Sequence, residues 1–447
     1  MTPTNRGYTL RNPQAVAWIV LLTGAFLFCV LCVVSTAGAR WFLFDSEVSL
    51  TIRLTVSRGR VDLRLPDGTD IGVNRERYID TPNAVMETDI TSQGYLTFED
   101  NYSRQVVATV YLLQDSSLTL RKSTGPRFDW GSNGYEIVLD SPGGRFYVQV
   151  ETDSGRPLTV EIAAPTGGAR LGGPGLARVE VSDRQVQMHV EAGQGTLLGR
   201  DGNSLLLEAG TLGAVRAPED ENGDQRVSVT QAPYQVLNAR FGSLDDIDVN
   251  PALPVGWGCT SRANRQNEPQ GSVARTFFDQ QVVLRMLRAG EGLDHAESRC
   301  TYSFELAPRL SQDVSGYTSL AIRAWIRIHH QDVTTCGIRG SECPIMLELE
   351  YLAPGSDPDQ PMFWRHGFYA IRPPTDDNPL SCDTCLQEHE KLNTGAWYIY
   401  DSGDLFRALP ENRRPVRITQ LSVYASGHAY DAVVGDLVVI AGLSDAR

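Results

Sequence analysis

SLAIRAWIRI, residues Ser319–Ile328, alternates with a period of two. Leu320, Ile322, Ala324, Ile326 and Ile328 fall on one side, and Arg323, Trp325 and Arg327 on the other. Successive side chains of a strand point to opposite faces of its sheet, so the first set suits a core and the second points out. PIMLELEYL (Pro344–Leu352) repeats the pattern, with Ile345, Leu347, Leu349 and Tyr351 inward and Glu348 and Glu350 outward. FWRHGFYAI (Phe363–Ile371), AWYIYD (Ala396–Asp401), VRITQLSVYAS (Val416–Ser426) and AVVGDLVVIAG (Ala432–Gly442) are further strands by their β-branched and aromatic content. From Gly256 onward the chain reads as all-β.

Toward the N-terminus, SLDDIDVNPALP (Ser243–Pro254) is acidic and contains proline, which suits a linker over residues 230–255. Before it, residues 48–229 read as shorter alternating strands broken by Gly, Pro and Asp-Gly. Examples are LTIRLTV (Leu50–Val56), GRVDLRL (Gly59–Leu65) before a turn at Asp67-Gly68, and RFYVQV (Arg145–Val150). That spacing predicts a β-sandwich or a related multi-strand fold. Val56–Val73 and Val190–Gly210 each contain a strand, a Gly, a second strand and an Asp-Gly turn. This fits two copies of one hairpin unit, and equally any glycine-punctuated meander. DENGD (Asp220–Asp224) has oxygen ligands at alternate positions but lacks the Gly and distal acid of a calcium loop, so a solvated turn is expected.

AVAWIVLLTGAFLFCVLCVV (Ala15–Val34) is a different kind of segment: twenty residues without a charge. As a helix it rises roughly 30 Å, the thickness of a bilayer's hydrocarbon core. Arg6 and Arg11 precede it with no acid, which predicts a cytoplasmic tail at 1–14, a transmembrane signal anchor at 15–37 and the bulk outside. Ala37-Gly38-Ala39 has the small-residue spacing of a signal-peptidase site, so a cleaved signal peptide is the competing reading. Trp18 and Trp41 suit interfacial anchoring at the two ends. The expected localisation is the cell membrane, single-pass, with most of the chain extracytoplasmic.

The net charge of −14 over 447 residues argues against nucleic acid as a partner. Of eight cysteines, Cys29 and Cys32 lie in the apolar run, and the other six all follow residue 255. An even number on the outer side predicts disulfides. Cys259–Cys300 would tie the first segment of the C-terminal region to a following strand. Cys336 with Cys343 and Cys382 with Cys385 sit in loops expected at one end of the fold, as two local disulfides or as one four-thiolate zinc site. No metal is assigned.

Catalytic signatures are absent from the sequence: no G-x-S-x-G, H-E-x-x-H, P-loop or dinucleotide fingerprint occurs, and His389-Glu390 lacks a second His. A non-enzymatic role without a cofactor is expected. The candidate binding face is Trp325 with Arg323, Arg327, Glu348 and Glu350, an indole plate flanked by directional charges that suits sugars or peptides. The opposing reading is that these charges pair across strands and Trp325 packs under a neighbouring loop. His329, His330 and His366 are weaker metal-ligand candidates.

TDITSQGYLTFED (Thr88–Asp100), LLQDSSLTL (Leu112–Leu120) and RVEVSDRQVQMHVEAGQGTLLGRDGNSLLLEAG (Arg178–Gly210) resemble the FecR-type domain of bacterial envelope signal transducers. The resemblance covers residues 48–229 and implies an extracytoplasmic β domain beside a single span. Family transducers carry a cytoplasmic region that binds a sigma factor. With 14 residues before the apolar run, that role is not expected. DVSGYTSLAIRAWIRI (Asp313–Ile328), WRHGFY (Trp364–Tyr369) and SVYASGHAYDAVVGDLVVI (Ser422–Ile440) resemble a galactose-binding-like jelly roll over residues 256–447. The expected architecture is thus all-β, with an N-terminal transmembrane helix, a FecR-like domain and a β-sandwich jelly roll. Its expected function is binding or sensing of a carbohydrate or cell-envelope protein. The alternative is a FecR-like transducer that contacts a membrane partner.

Overall fold

The computed structural model describes residues 13–151, 155–218, 226–231, 234–239, 253, 256–279, 281–290, 294–304, 313–332, 334, 336, 343–372 and 380–442. The DENGD turn, most of the acidic Ser243–Pro254 stretch and nearly all of the N-terminal tail lie outside the described residues.

An α-helix runs from Pro13 to Arg40 and continues as a π-helical turn over Trp41–Asp45. No residue of its apolar window is buried within the protein, and its length and composition allow it to cross a membrane. The chain then enters β structure at once.

Residues 47–231 form two large sheets that close on one another through the long strand Tyr135–Val150, which contributes to both. Between them lies a core that includes Leu54, Val61, Met86, Leu96, Phe98, Val110, Phe146 and Val179. The two similar hairpin segments follow the same path. Thr51–Arg58 lies in one sheet, Gly59 turns the chain, and Val61–Arg64 pairs with Asp70–Val73 in the other sheet. Glu76–Ile79 then returns to pair with Thr51–Arg58. Gln185–Ala192, Gly193, Gln194–Gly199, Ser204–Glu208 and Thr211–Arg216 repeat this path, the last again pairing with the first. Gly59 and Gly193 have φ of 68° and 78°, and a Cβ on either would come within 2.4 Å of an oxygen atom, so the crossing turn demands glycine. The shared path favours two copies of one unit.

The C-terminal region is a second sandwich. One sheet runs in the order Ser272–Phe278, Gln281–Arg288, Tyr430–Gly442, Ser319–Gln331, Tyr398–Asp401. The other runs Trp257–Ala263, Ala296–Ser303, Arg417–Gly427, Ile345–Leu352, Met362–Tyr369, Glu390–Lys391. Leu320, Ile322, Ala324, Ile326 and Ile328 all face its core, together with Leu347, Leu349, Tyr351 and Val423. Within the expected linker, Tyr234–Ala239 is a strand that pairs with Tyr430–Gly442 beside the end of Gln281–Arg288. Part of that segment therefore belongs to the sandwich.

Three disulfides join Cys259 to Cys300, Cys336 to Cys343 and Cys382 to Cys385. Cys259 and Cys300 sit directly opposite each other on paired strands. The other two pairs do converge, since each places its sulfurs within 4.8 Å of a ring nitrogen of His389. Arg288 is almost fully buried. Its guanidinium donates to the carbonyls of Pro269, Asp294, Gly427 and His428 and lies 3.0 Å from a Glu268 carboxylate oxygen. It thereby ties three loops to one end of the sandwich.

A candidate ligand cleft between the two β domains

The outward positions of Ser319–Gln331 do leave their own core, but they do not meet solvent. Trp325 is 5% exposed and belongs to a separate apolar cluster with Tyr111, Leu113, Tyr147, Val283, Trp397, Ile399 and Val433. It is covered by the outer face of the N-terminal domain, where the sequence suggests only a neighbouring loop. Its ring meets Tyr147 edge to face at 5.9 Å.

The covering face is built by strand pairing. Tyr95, Tyr111, Tyr147, Arg178, His189 and Leu212 are successive register partners across six strands, forming one continuous row. Each is outward because its neighbours Leu96, Val110, Phe146, Val179, Met188 and Gly213 lie on the core side. Three tyrosines in a row make an apolar stripe, and such stripes are normally covered.

Segment 390–401 stitches the domains together. The Gln93 side-chain amide donates to the Ile399 carbonyl (3.0 Å) and accepts from the Ile399 N–H (2.7 Å). The Asn393 side chain donates to the carbonyls of Val56 and Asn74, and its N–H donates to the Ser57 carbonyl, all at 2.8 Å. Ser57 Oγ in turn donates to the Trp397 carbonyl. Arg58 reaches Glu390 at 3.2 Å, and Glu390 also accepts from the Tyr398 hydroxyl and faces His366 Nε2 at 3.6 Å. Burial works to raise the Glu390 carboxyl, yet the facing His366 ring, the Arg58 charge and the Tyr398 hydroxyl hold it below its ordinary value.

Trp325 acts as a plug with an opening on either side. On one side Arg323 lines a cavity of about 200 Å³ with Arg178, Glu180, Gln187 and His189. Its guanidinium lies 2.9 Å from Asp401. On the other side Arg327 lines a larger cleft of about 340 Å³ with Tyr95, Tyr111, Trp397, Arg53, Gln149, Glu151 and Asp279. Asp279 sits at a hairpin tip with φ of 44°, a left-handed conformation rare for a non-glycine residue. Its carboxylate accepts from Trp397 Nε1 (3.0 Å) and pairs with Arg327. Arg327 lies 4.9 Å from the Phe278 ring centroid and 5.8 Å from that of Trp397. Burial, helped by the Asp279 charge, raises the Glu151 carboxyl to about 7. The cleft therefore offers the half-buried Tyr95 ring beside the carboxylates of Glu76 and Asp279, the guanidinium groups of Arg53 and Arg327, and the Glu151 carboxyl, raised to about 7.

Glu348 and Glu350 are not part of this face. Ile345–Leu352 lies in the opposite sheet from Ser319–Gln331, so the five residues expected to share one face are divided between two sides of the sandwich. Alternation fixes inward against outward and is silent on which sheet a strand joins. Glu348 is buried between Arg299 (2.6 Å) and Arg365 (2.5 Å), and Glu350 accepts from Thr419 at 2.7 Å. On that side, cross-strand charge pairing is what the sheet contains. His366 stacks on Tyr400 at 4.8 Å, and His329 meets Phe278 edge to face at 4.9 Å. The strands do not bring these two histidines together. The missed signal was the tyrosine row, legible once Tyr95, Tyr111 and Tyr147 are seen as outward residues of neighbouring strands.

These features define an all-β protein with an N-terminal apolar helix and two sandwiches docked through a buried face. No protein-family model matches the chain, and no curated protein matches it in sequence. Among solved structures it is similar to a family 11 carbohydrate-binding module from Clostridium thermocellum in complex with a β-1,3-1,4-mixed-linked tetrasaccharide. That match has 10% identity and a TM-score of 0.24, covering 42% of this chain and 91% of the module. It is also similar to SGBP-B of a complex xyloglucan utilization locus in Bacteroides uniformis (9%, TM-score 0.25, 80% and 98%). A protein provisionally assigned as an anti-sigma factor, from Parabacteroides distasonis, matches at 13% identity and a TM-score of 0.21, covering 42% of this chain. The chain spans 61% of that protein's length.

Proposed function

We propose that this chain is a single-pass envelope protein whose exported β domains act as one binding or sensing module for a carbohydrate or cell-envelope protein, with the Arg327 cleft as the ligand site. The observation that carries this reading is the cleft's lining. Half-buried Tyr95, backed by the buried rings of Tyr111 and Trp397, supplies ring surface of the kind on which the C–H face of a sugar stacks, while Arg53, Gln149, Glu151, Asp279 and Arg327 supply donors and acceptors for hydroxyls. On this reading Arg323 and Arg327 flank the docked face, Trp325 holds the domains in place, and Glu348 and Glu350 have no contact with the ligand. A glycan array probed with the full chain in detergent tests it. Binding to a glycan class that falls at least about tenfold in Arg327→Gln and Tyr95→Ala supports the cleft. Binding that both variants leave intact places the ligand elsewhere.

A FecR-like transducer contacting a membrane partner is the second reading. It is favoured by the direct hydrogen bonding of the helix end to the first β domain, since Ser132 N–H donates to the Phe44 carbonyl at 2.9 Å. Cross-linking of the full chain in native membranes, followed by mass spectrometry, would identify such a partner.

A further inference from the structure

At the outer end of the apolar helix the described residues carry an aromatic cluster that no core absorbs. Trp41 is 61% and Trp130 60% exposed, and Phe42, Leu43 and Phe44 are also exposed. Trp130 stacks on Phe128 with centroids 5.0 Å apart and planes at 5°. Phe128 meets Phe42 edge to face at 5.7 Å, and the Arg127 guanidinium lies 5.1 Å over the Phe42 ring. The helix end and the loop of residues 127–133 therefore form one surface.

That surface is held in place. Ser132 N–H donates to the Phe44 carbonyl, Asn133 Nδ2 donates to the Asp45 carbonyl at 2.7 Å, and Arg127 N–H donates to the Ser46 carbonyl at 3.0 Å. Arg156 braces the loop from behind by donating to the carbonyls of Asp129 and Gly131. The exposed rings are thus fixed against the point where the helix leaves its apolar stretch.

We propose that Phe128 and Trp130, with Trp41 and Phe42, dock on the outer lipid interface of the membrane that the helix crosses. This rests on the reading of the helix as a retained span. Trp18 and Trp41 are 23 residues apart in sequence, a rise of roughly 35 Å, which sets them near the two boundaries of a hydrocarbon core of about 30 Å. The Phe128–Trp130 loop packs on Phe42 and so lies at the same depth as Trp41. Indole rings partition to that boundary, where their apolar body and N–H both find partners. Arg127 and Arg40 lie where lipid phosphates would be, with Asp45 and Asp129 as the opposing charges of the cluster.

The test uses the full chain in phospholipid nanodiscs, with acyl chains brominated at a shallow or a deep position, and aqueous iodide as the opposing quencher. Comparing the parent with Trp130→Phe isolates the emission of that indole from the other six. Docking predicts that the component lost is quenched by shallow bromine and spared by iodide. A component quenched by iodide alone overturns the inference, and one protected from both quenchers overturns it in favour of a protein cover. Trp18→Phe serves as the separate control on the span. If it removes no bromine-quenched component either, the membrane-spanning reading has failed. If it does and Trp130→Phe does not, only the docking has failed. Trp130 is exposed, so its replacement leaves the fold intact.

Discussion

Tyr111 of the N-terminal domain meets Trp325 of the C-terminal domain edge to face, with ring centroids 4.8 Å apart and planes at 76°. Each lies on the outer face of its own sandwich and is buried by the other. The two cores are thereby joined by a third apolar layer, and the stability of each domain depends on its neighbour.

Trp325→Ala is expected to act through that layer. Removing a buried indole typically destabilises by about 3–5 kcal/mol. In urea unfolding of residues 45–447, a single transition should shift to lower denaturant or split into two. An unchanged midpoint would mean that the interdomain packing contributes nothing.

Glu151 and Glu390 should give stability opposite pH dependences. The folded-state value of Glu151 is raised to about 7 from an ordinary 4.5, so the folded form holds its proton longer than the unfolded form. Stability therefore falls as pH rises from about 4.5 to about 7, by roughly 1–3 kcal/mol. Glu151→Gln should flatten that decline and stabilise the protein at pH 8. Glu390 is depressed instead, so its contribution is present above about pH 4.5 and is lost as pH falls through its lower folded value. Glu390→Gln should remove part of the acid-side loss. Thermal melts from pH 3 to 8 read both, and parallel profiles for parent and variants would contradict the assignment.

The disulfides should be unequal. Cys259–Cys300 closes a separation of 41 residues, whereas Cys336–Cys343 and Cys382–Cys385 close 7 and 3. Chain-entropy arguments give about 4 kcal/mol for the first and roughly 1.5–2.5 for each of the others. Cys300→Ser together with Cys259→Ser should lower the melting temperature most. Mass spectrometry of the unreduced protein should find no free thiol among the six. One zinc bound to reduced Cys336, Cys343, Cys382 and Cys385 would replace the disulfide assignment there.

Arg288→Met should cost about 3 kcal/mol or more, because it leaves Glu268 and four carbonyls without their shared donor in a buried site. The loss would be read as a lower denaturation midpoint with the Arg327 cleft unaltered. A neutral substitution would show that water satisfies those groups equally well.

Much of the strand structure was legible because alternation is strong where one face is core. Ser319–Ile328, Pro344–Leu352 and Val416–Ser426 were expected as strands, and Ser319–Gln331, Ile345–Leu352 and Arg417–Gly427 are observed. The outward direction of Trp325 was also legible. What covers it was not, since its partners Tyr111 and Tyr147 are some 180–210 residues earlier in the chain and meet it only through the pairing of strands. The same non-local step separates Glu348 from Arg327. Tyr234–Ala239 was hidden for another reason: it adjoins an acidic, proline-containing stretch and has no period of its own to mark it as sheet.

The bidentate bond between the Gln93 amide and Ile399 has a bearing on solubility. Tyr398–Asp401 is the last strand of its sheet, and a bare rim of that kind is a template for pairing with other chains. Gln93 occupies both backbone groups of Ile399 as a one-residue surrogate strand, and Asn393 and Ser57 close the approach beside it. Cleaving the chain between the sandwiches would strip this cap and bare Trp325, Trp397 and Val433 in the same stroke. Self-association of the severed half into sheet-like aggregates is the outcome the intact arrangement prevents.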